Sequence, residues 1–277
     1  MTDAHVRLKF WGVRGSTPTP QIENLKFGGN TPCLEIRTPE NECVIFDAGS
    51  GIRALGQALM QEANGAPIDS KIFLTHFHWD HIQGIPFFAP LFGPKNHITF
   101  FSGSAGQPLR ETLEGQMAKP YFPIDFSQVA AKRDFHQLEN GGEVQVGGLK
   151  VRPFPLNHPQ GASGYRIEAS GATIVYATDY EHGVKESDDI LLEYSQDADI
   201  LICDAQYTPA EYEEHRGWGH STWENAVYLA KQARAKHLML FHHDPTHDDQ
   251  TMMRISQDAR VLFENTTAAW EGFSAIL

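Results

Sequence analysis

The six residues His76-Phe77-His78-Trp79-Asp80-His81 follow directly on the apolar run Lys71-Ile72-Phe73-Leu74-Thr75. Three imidazoles and one carboxylate therefore stand together where a strand-like segment ends. Imidazole suits borderline divalent metals, and a carboxylate adds a hard anionic ligand. Side chains at i and i+2 of an extended backbone point the same way, so His76 and His78 can share one metal. Asp80 and His81, past the bend, can serve a second. Two cations held this way are the apparatus of metal-assisted hydrolysis. Fourteen histidines in 277 residues make a chance cluster easier, but chance does not supply partners, and partners recur downstream.

Those partners also follow apolar runs. His158 follows 151–156, Asp179 follows 173–178 and His242 follows 238–241. A lone strand-end histidine is more often a satisfied polar residue than a ligand; joint occurrence with the hexapeptide carries the weight here. Alternation and apolar runs predict strands at 6–13, 71–75, 97–101, 143–146, 149–155, 164–169, 172–177, 199–203 and 237–241. Residues 33–37 and 42–46 read as a hairpin. Helices are expected at 52–62, 109–117, 184–194, 221–233 and 248–263. Ser221 is the expected N-cap of 221–233, with Glu224 completing a capping box. Ligand sites in layered α/β proteins gather at strand ends, where the polar clusters of this chain also fall. The expectation is an α/β protein, an αββα sandwich of two mixed sheets, forming one domain over 1–277 with an elaboration at 103–133.

Composition narrows the function classes. No apolar run approaches the roughly 18 residues a membrane helix needs, and the first ten residues lack the order of a signal peptide. Cys33, Cys43 and Cys203 are an odd count without short spacing, which argues against a disulfide framework or a cysteine zinc site. A cytoplasmic protein without membrane partners is the expectation. The net charge of −13 would repel a long nucleic acid over most of the surface, and no basic run makes a groove. Small anions remain accessible to a site whose metals supply local positive charge.

The set His76-x-His78-x-Asp80-His81, then His158, Asp179 and His242, resembles the full ligand set of the metallo-β-lactamase superfamily over roughly residues 6–245. The resemblance implies the αββα sandwich and a dinuclear site. His76, His78 and His158 would hold one metal, Asp80, His81 and His242 the other, and Asp179 would bridge both. His243 is a competitor for the place of His242. Asp47, in Phe46-Asp47-Ala48-Gly49, matches the residue that orients the metal loop in that superfamily; read alone it is equally a turn or cap residue.

Gly219-His220-Ser221-Thr222 resembles the His-Ser-Thr motif of the phosphodiesterase branch, which holds ribonuclease Z and cyclic phosphodiesterases. The resemblance implies that His220 contacts the scissile phosphate and helps protonate the leaving oxygen, and that Asp204 orients it. Asp80, His220 and Asp204 are the expected catalytic residues. Phe10-Trp11-Gly12-Val13-Arg14-Gly15-Ser16-Thr17-Pro18 resembles the opening of that branch; its loop could bring backbone N–H groups to a phosphate. Arg14 could add a charge-assisted contact or pair with an acidic neighbour. Ribonuclease Z enzymes carry a protruding tRNA-binding arm, in many bacterial forms between the counterparts of His158 and Asp179, where this chain has room only for a hairpin. Tyr121 and Phe122 could stack on a nucleobase or cap the core.

The reading that follows is a phosphodiesterase using hydroxide activated by two divalent metals. Its substrate would be a small phosphodiester, a cyclic nucleotide or ribose cyclic phosphate, with long nucleic acid disfavoured. Zinc fits His/Asp ligation best, with manganese or iron as alternatives. An RNA 3′-end processing nuclease is the second reading. A lactone or ester hydrolase, or a non-catalytic ligand-binding sensor, is a third of another kind. A homodimer is only a superfamily habit. Asp244, His247, Asp248 and Asp249 crowd the His242 loop without a role legible from the sequence.

Overall fold

The computed structural model describes residues 5–103 and 107–277. The start of the amino-terminal segment (1–4) and residues 104–106 of the elaboration at 103–133 lie outside them. The first half runs β1 (Arg7–Gly12), β2 (Cys33–Arg37), β3 (Cys43–Phe46), α1 (Ile52–Ala63), β4 (Asp69–Leu74), α2 (Trp79–Ile82), β5 (His97–Ser102), α3 (Leu109–Gln116) and β6 (Lys132–Gln137). The second half runs β7 (Val144–Val146), β8 (Leu149–Leu156), β9 (Ala162–Ala169), β10 (Ala172–Ala177), α4 (Lys185–Ser195), β11 (Ile200–Asp204), α5 (Pro209–His215), α6 (Trp223–Gln232), β12 (His237–Phe241), α7 (Asp249–Leu262), β13 (Thr266–Ala268) and β14 (Ser274–Ile276).

Two seven-stranded sheets result, ordered β14-β1-β2-β3-β4-β5-β6 and β13-β12-β11-β10-β9-β8-β7. Each is antiparallel in one part and parallel in the other: β3 to β6 run parallel, as do β10 to β13. Their inner faces share one core, in which Phe10, Phe46 and Phe73 meet Tyr165, Tyr176 and Phe241. The outer face of the first sheet packs on α1 and α3, and that of the second on α4, α6 and α7. This is the expected αββα sandwich. No helix among the described residues is long and apolar enough to cross a membrane.

Register explains why the polar residues converge. Phe46, Phe73, Phe101 and His136 are neighbours across parallel strands. Their rings stack at centroid distances of 5.1, 4.5 and 5.1 Å, a favourable offset arrangement. One residue beyond Phe46 comes Asp47, and two beyond Leu74 comes His76. In the other sheet Ala177, Cys203 and Leu240 are level, so Asp179 and His242 emerge at the same height. Asp47, Asp179 and His242 all have positive φ, at 61°, 59° and 62°. Non-glycine residues in that region cost energy and concentrate at functional sites.

Two capping expectations change. The N-cap of α6 is Thr222, which accepts from Asn225 N, and not Ser221. Ser221 is claimed by tertiary partners instead: its Oγ lies 2.7 Å from His182 Nδ1 and its N–H donates to Asp204 Oδ1. A capping box does form, at Thr208 and Glu211 of α5.

Candidate metal centre

The side chains of the hexapeptide meet those from the other sheet at one rim of the sandwich. Possible ligand atoms of His76, His78 and His158 lie within 4.8 Å of one another, and those of Asp80, His81, Asp179 and His242 do the same. Asp179 reaches both groups. Its Oδ1 is 3.7 Å from His76 Nε2 and from His158 Nε2, and its Oδ2 is 3.1 Å from His81 Nε2 and 3.4 Å from His242 Nε2. The seven residues singled out from the sequence are therefore brought together, with Asp179 in the middle. His243 is not among them; its Nε2 donates to Ala269 O at 2.7 Å.

The donor set fits divalent cations. The Nε2 atoms of His76 and His81 are buried and make no hydrogen bond among the described residues; they face carboxylate oxygens without hydrogen-bond geometry. Buried polar atoms are almost always satisfied, so lone pairs aimed at common points call for an electrophile there. Burial and neighbouring imidazoles hold His76 well below its ordinary pKa, and burial chiefly lowers His158, whereas for His81 burial is outweighed by Asp179, Asp80 and Asp47, which raise it; neutral imidazole is the ligating form, and cations beside those carboxylates would favour it. Burial would raise Asp80 and Asp179, but the surrounding imidazoles outweigh it and hold both carboxylates well below their ordinary range.

Four of the five imidazoles, those of His76, His81, His158 and His242, are aimed through their other nitrogen, as metal-ligating histidines require. Asp47 Oδ2 accepts from His81 Nδ1 at 2.8 Å and from the Tyr176 hydroxyl at 2.9 Å, while its Oδ1 accepts from Thr75 N at 2.9 Å. Thr75 Oγ1 stands 3.0 Å from His76 Nδ1. Gly219 O accepts from His158 Nδ1 at 2.8 Å. Gln206 Oε1 accepts from His242 Nδ1 at 2.9 Å. Gln206 was not foreseen, because an amide near a strand end carries no sequence signal. Asp47 takes the orienting place that the resemblance implied.

His220 stands beside the cluster, its ring centroid 4.8 Å from that of His242 and 5.3 Å from that of His158. Its Nδ1 donates to Asp204 Oδ2 at 2.9 Å. Burial opposes the charged ring, but Asp204, with Asp179 and Asp80 behind it, pushes His220 up to about 9. Cations at Asp179 and Asp80 would offset their share and leave Asp204 as the main support for the proton.

Several expectations take a different form. Among the described residues Arg14 makes no ion pair with an acidic side chain. It is buried and donates to the carbonyls of Gly28, Asp244 and His247, stitching the amino-terminal loop to the His242 loop. The N–H of Ser16 goes to Asp80 Oδ2 at 2.8 Å and that of Thr17 to Gly15 O, so these groups orient a ligand and their own loop and are not offered to phosphate. Asp248 caps α7, Asp249 accepts from Lys26 N and Phe27 N, and His247 Nε2 lies 2.8 Å from Glu211 Oε1. Asp244 accepts from Thr246 and from Gln206 Nε2 at 3.3 Å, which turns the Gln206 oxygen toward His242. Phe122 packs edge-on against Phe87, whereas Tyr121 is 75% exposed.

A sandwich of two mixed sheets with this His/Asp cluster at one rim defines a metallo-hydrolase class. The Beta-lactamase superfamily domain matches residues 43–243, and the chain belongs to that superfamily. Its similarity falls on the phosphodiesterase side that includes ribonuclease Z. Ribonuclease Z of Methanosarcina acetivorans is 27% identical over 318 aligned positions, covering 95% of both chains. Among solved structures, the metallo-β-lactamase fold protein YhfI from Bacillus subtilis superposes with a TM-score of 0.75 at 17% identity over 99% of this chain and 100% of that one. A diphosphatase from the PhnP family superposes with a TM-score of 0.72 at 21% identity over 98% and 97%. This chain is thus a metal-dependent hydrolase, and the fold and cluster together imply divalent cations.

Proposed function

We propose that the protein hydrolyses a small phosphodiester, a cyclic nucleotide or a ribose cyclic phosphate, at a dinuclear centre. His76, His78 and His158 would hold one cation, Asp80, His81 and His242 the other, and Asp179 both. When bound, such cations acidify a water and neutralise phosphoryl charge. The protein's own part falls to His220 and Asp204. Asp204 keeps the proton on Nδ1 and fixes the ring, so Nε2 can donate to a non-bridging phosphoryl oxygen and then pass its proton to the departing alkoxide. The observation that carries this reading is the buried Asp204–His220 pair beside the cluster.

The names of the relatives favour a second reading, RNA 3′-end cleavage. Against it stand the net charge of −13 and the alignment itself, whose 318 positions exceed the 277 residues of this chain by 41. The relative thus has segments that this chain lacks. Between His158 and Asp179 the chain forms only the β9–β10 hairpin.

The test is hydrolysis of bis(p-nitrophenyl) phosphate, cyclic nucleotides, a lactone and an RNA with a 3′ extension, by protein stripped of metal and reloaded with zinc or manganese. Metal-restored cleavage of small phosphodiesters is expected. Preferential RNA cleavage selects the second reading, and cleavage of the lactone alone refutes both. The His220→Ala variant should lose about 10²–10⁴-fold in kcat while still binding two equivalents of metal; loss of metal instead would disprove the proton-donor role.

A further inference from the structure

The cluster opens on one side. Asp80, His81, Asp179 and His242 are buried, whereas His78 is only half-buried. Two exposed indoles adjoin, in the chain, residues of that side. Trp79, the first residue of α2, follows His78 directly and is 64% exposed. His78 Nδ1 lies 3.2 Å from His158 Nε2, and His158 Nδ1 donates to Gly219 O. Trp218, the residue before Gly219, is 61% exposed.

Trp218 is held in place by a dedicated support. The buried carboxylate of Glu181 accepts from Gly217 N at 2.6 Å, from Gly219 N at 2.8 Å and from the Tyr212 hydroxyl at 3.0 Å. Gly217 and Gly219 have φ of 85° and 90°, a conformation that glycine alone adopts freely. The Trp218 N–H donates to His215 O at 3.1 Å, and its indole packs edge-on to the His215 ring at 4.8 Å. His215 stacks on Tyr207 at 4.6 Å, and Tyr207 meets His220 edge-on at 6.0 Å. A buried carboxylate, two left-handed glycines and a braced ring thus present an indole that is itself left mostly in water. Core packing does not explain that arrangement. A flat ligand group does, because aromatic faces bind nucleobases regardless of their sequence.

We infer that Trp218 and Trp79 form a stacking subsite for a nucleobase next to the scissile phosphate. The substrate is then a nucleoside phosphodiester and not a bare ribose cyclic phosphate. This rests on the phosphodiesterase reading and narrows it. Glu181 is a positioning residue, acting through the loop that carries both Trp218 and His220.

The test is calorimetric binding of AMP and of ribose 5-phosphate to the metal-loaded protein, alongside its turnover of bis(p-nitrophenyl) phosphate. Wild-type protein should bind AMP about 10-fold or more tightly than ribose 5-phosphate, the range expected for one stacked base. Trp218→Ala should erase most of that difference with ribose 5-phosphate affinity where it was, Trp218→Phe should recover it, and Trp79→Ala should weaken AMP in the same selective way. Equal affinity for the two ligands, no measurable AMP binding, or an equal loss for both in the alanine variants overturns the subsite. Absence of any phosphodiester turnover with metal bound refutes the underlying reading instead, and selective AMP binding would then still stand. An adenylate tetranucleotide identifies the source of the base. Binding no tighter than AMP assigns it to a mononucleotide and binding more than 10-fold tighter to an RNA end; both support the subsite.

Discussion

At the residue scale, the orienting groups matter as much as the candidate ligands. Asp47 is buried and serves His81, Thr75 and Tyr176 at once. Removing it takes away an acceptor shared by these three residues and frees the His81 ring. For Asp47→Ala we expect the affinity of the Asp80/His81/His242 position to fall about 10- to 100-fold, with the His76/His78/His158 position less affected. Competition against a chromogenic chelator reads the two steps separately; an equal loss at both would show that Asp47 supports the fold generally and not one position. Gly219 is a second such point. A Cβ there would run into the His158 ring and Pro159 Cδ, so Gly219→Ala should displace His158 and lower bound metal toward one equivalent by elemental analysis.

At the scale of elements, the loops that bear functional residues are pinned by short helices. The capping box of α5 links Thr208 Oγ1 with Glu211 N and the Glu211 carboxylate with Thr208 N. Glu211 also reaches His247, beside the Asp244–Gln206 contact that aims His242. Thr208→Ala should cost about 1 kcal/mol in urea unfolding, the usual worth of an N-cap. A stability change indistinguishable from zero would mean that Glu211 holds the turn unaided. Helix α4 is finished by tertiary help: Arg166 of β9 donates to Tyr194 O at 2.7 Å and to Gln196 O at 3.0 Å, satisfying carbonyls that a helix end leaves open.

At the scale of the whole molecule, charge pairing across β8 and β9 makes stability depend on acid. Burial would raise the Glu168 carboxyl, but Lys150, Arg166 and Arg152 outweigh it and hold it at about 2. A depressed folded-state value stabilises the native state above the unfolded-chain value, near 4.5, and the contribution disappears as pH falls through about 2. The difference in urea midpoint between wild type and Glu168→Gln should be constant from pH 7 to pH 5.5 and should shrink steadily below pH 4.5. A constant difference down to pH 3 would show that packing, not charge, sets the effect.

Much of this organisation is legible in the sequence. The strands at 33–37, 71–75, 97–101 and 237–241 declared themselves because they are buried and therefore apolar, and the candidate ligands stood out because they end those strands. The elements that the sequence does not announce are β6, with the polar sequence Lys-Arg-Asp-Phe-His-Gln at a sheet edge, the three-residue strands β13 and β14, the single turn α2 inside the hexapeptide, and the polar α5. Ser221 reads as a cap in the sequence because a serine before a helix carries the same local signal whether or not a distant His182 and Asp204 claim it. The sequence by itself determined the sandwich, the cluster and the His220 segment, since burial and metal-ligand chemistry leave marks in residue type and spacing. Only the tertiary structure decided that Gln206 and Gly219 O aim His242 and His158, that Arg14 is an internal clamp, and that Glu181 holds the loop carrying Trp218. Those roles depend on which groups meet across long stretches of chain, and no local pattern records such meetings.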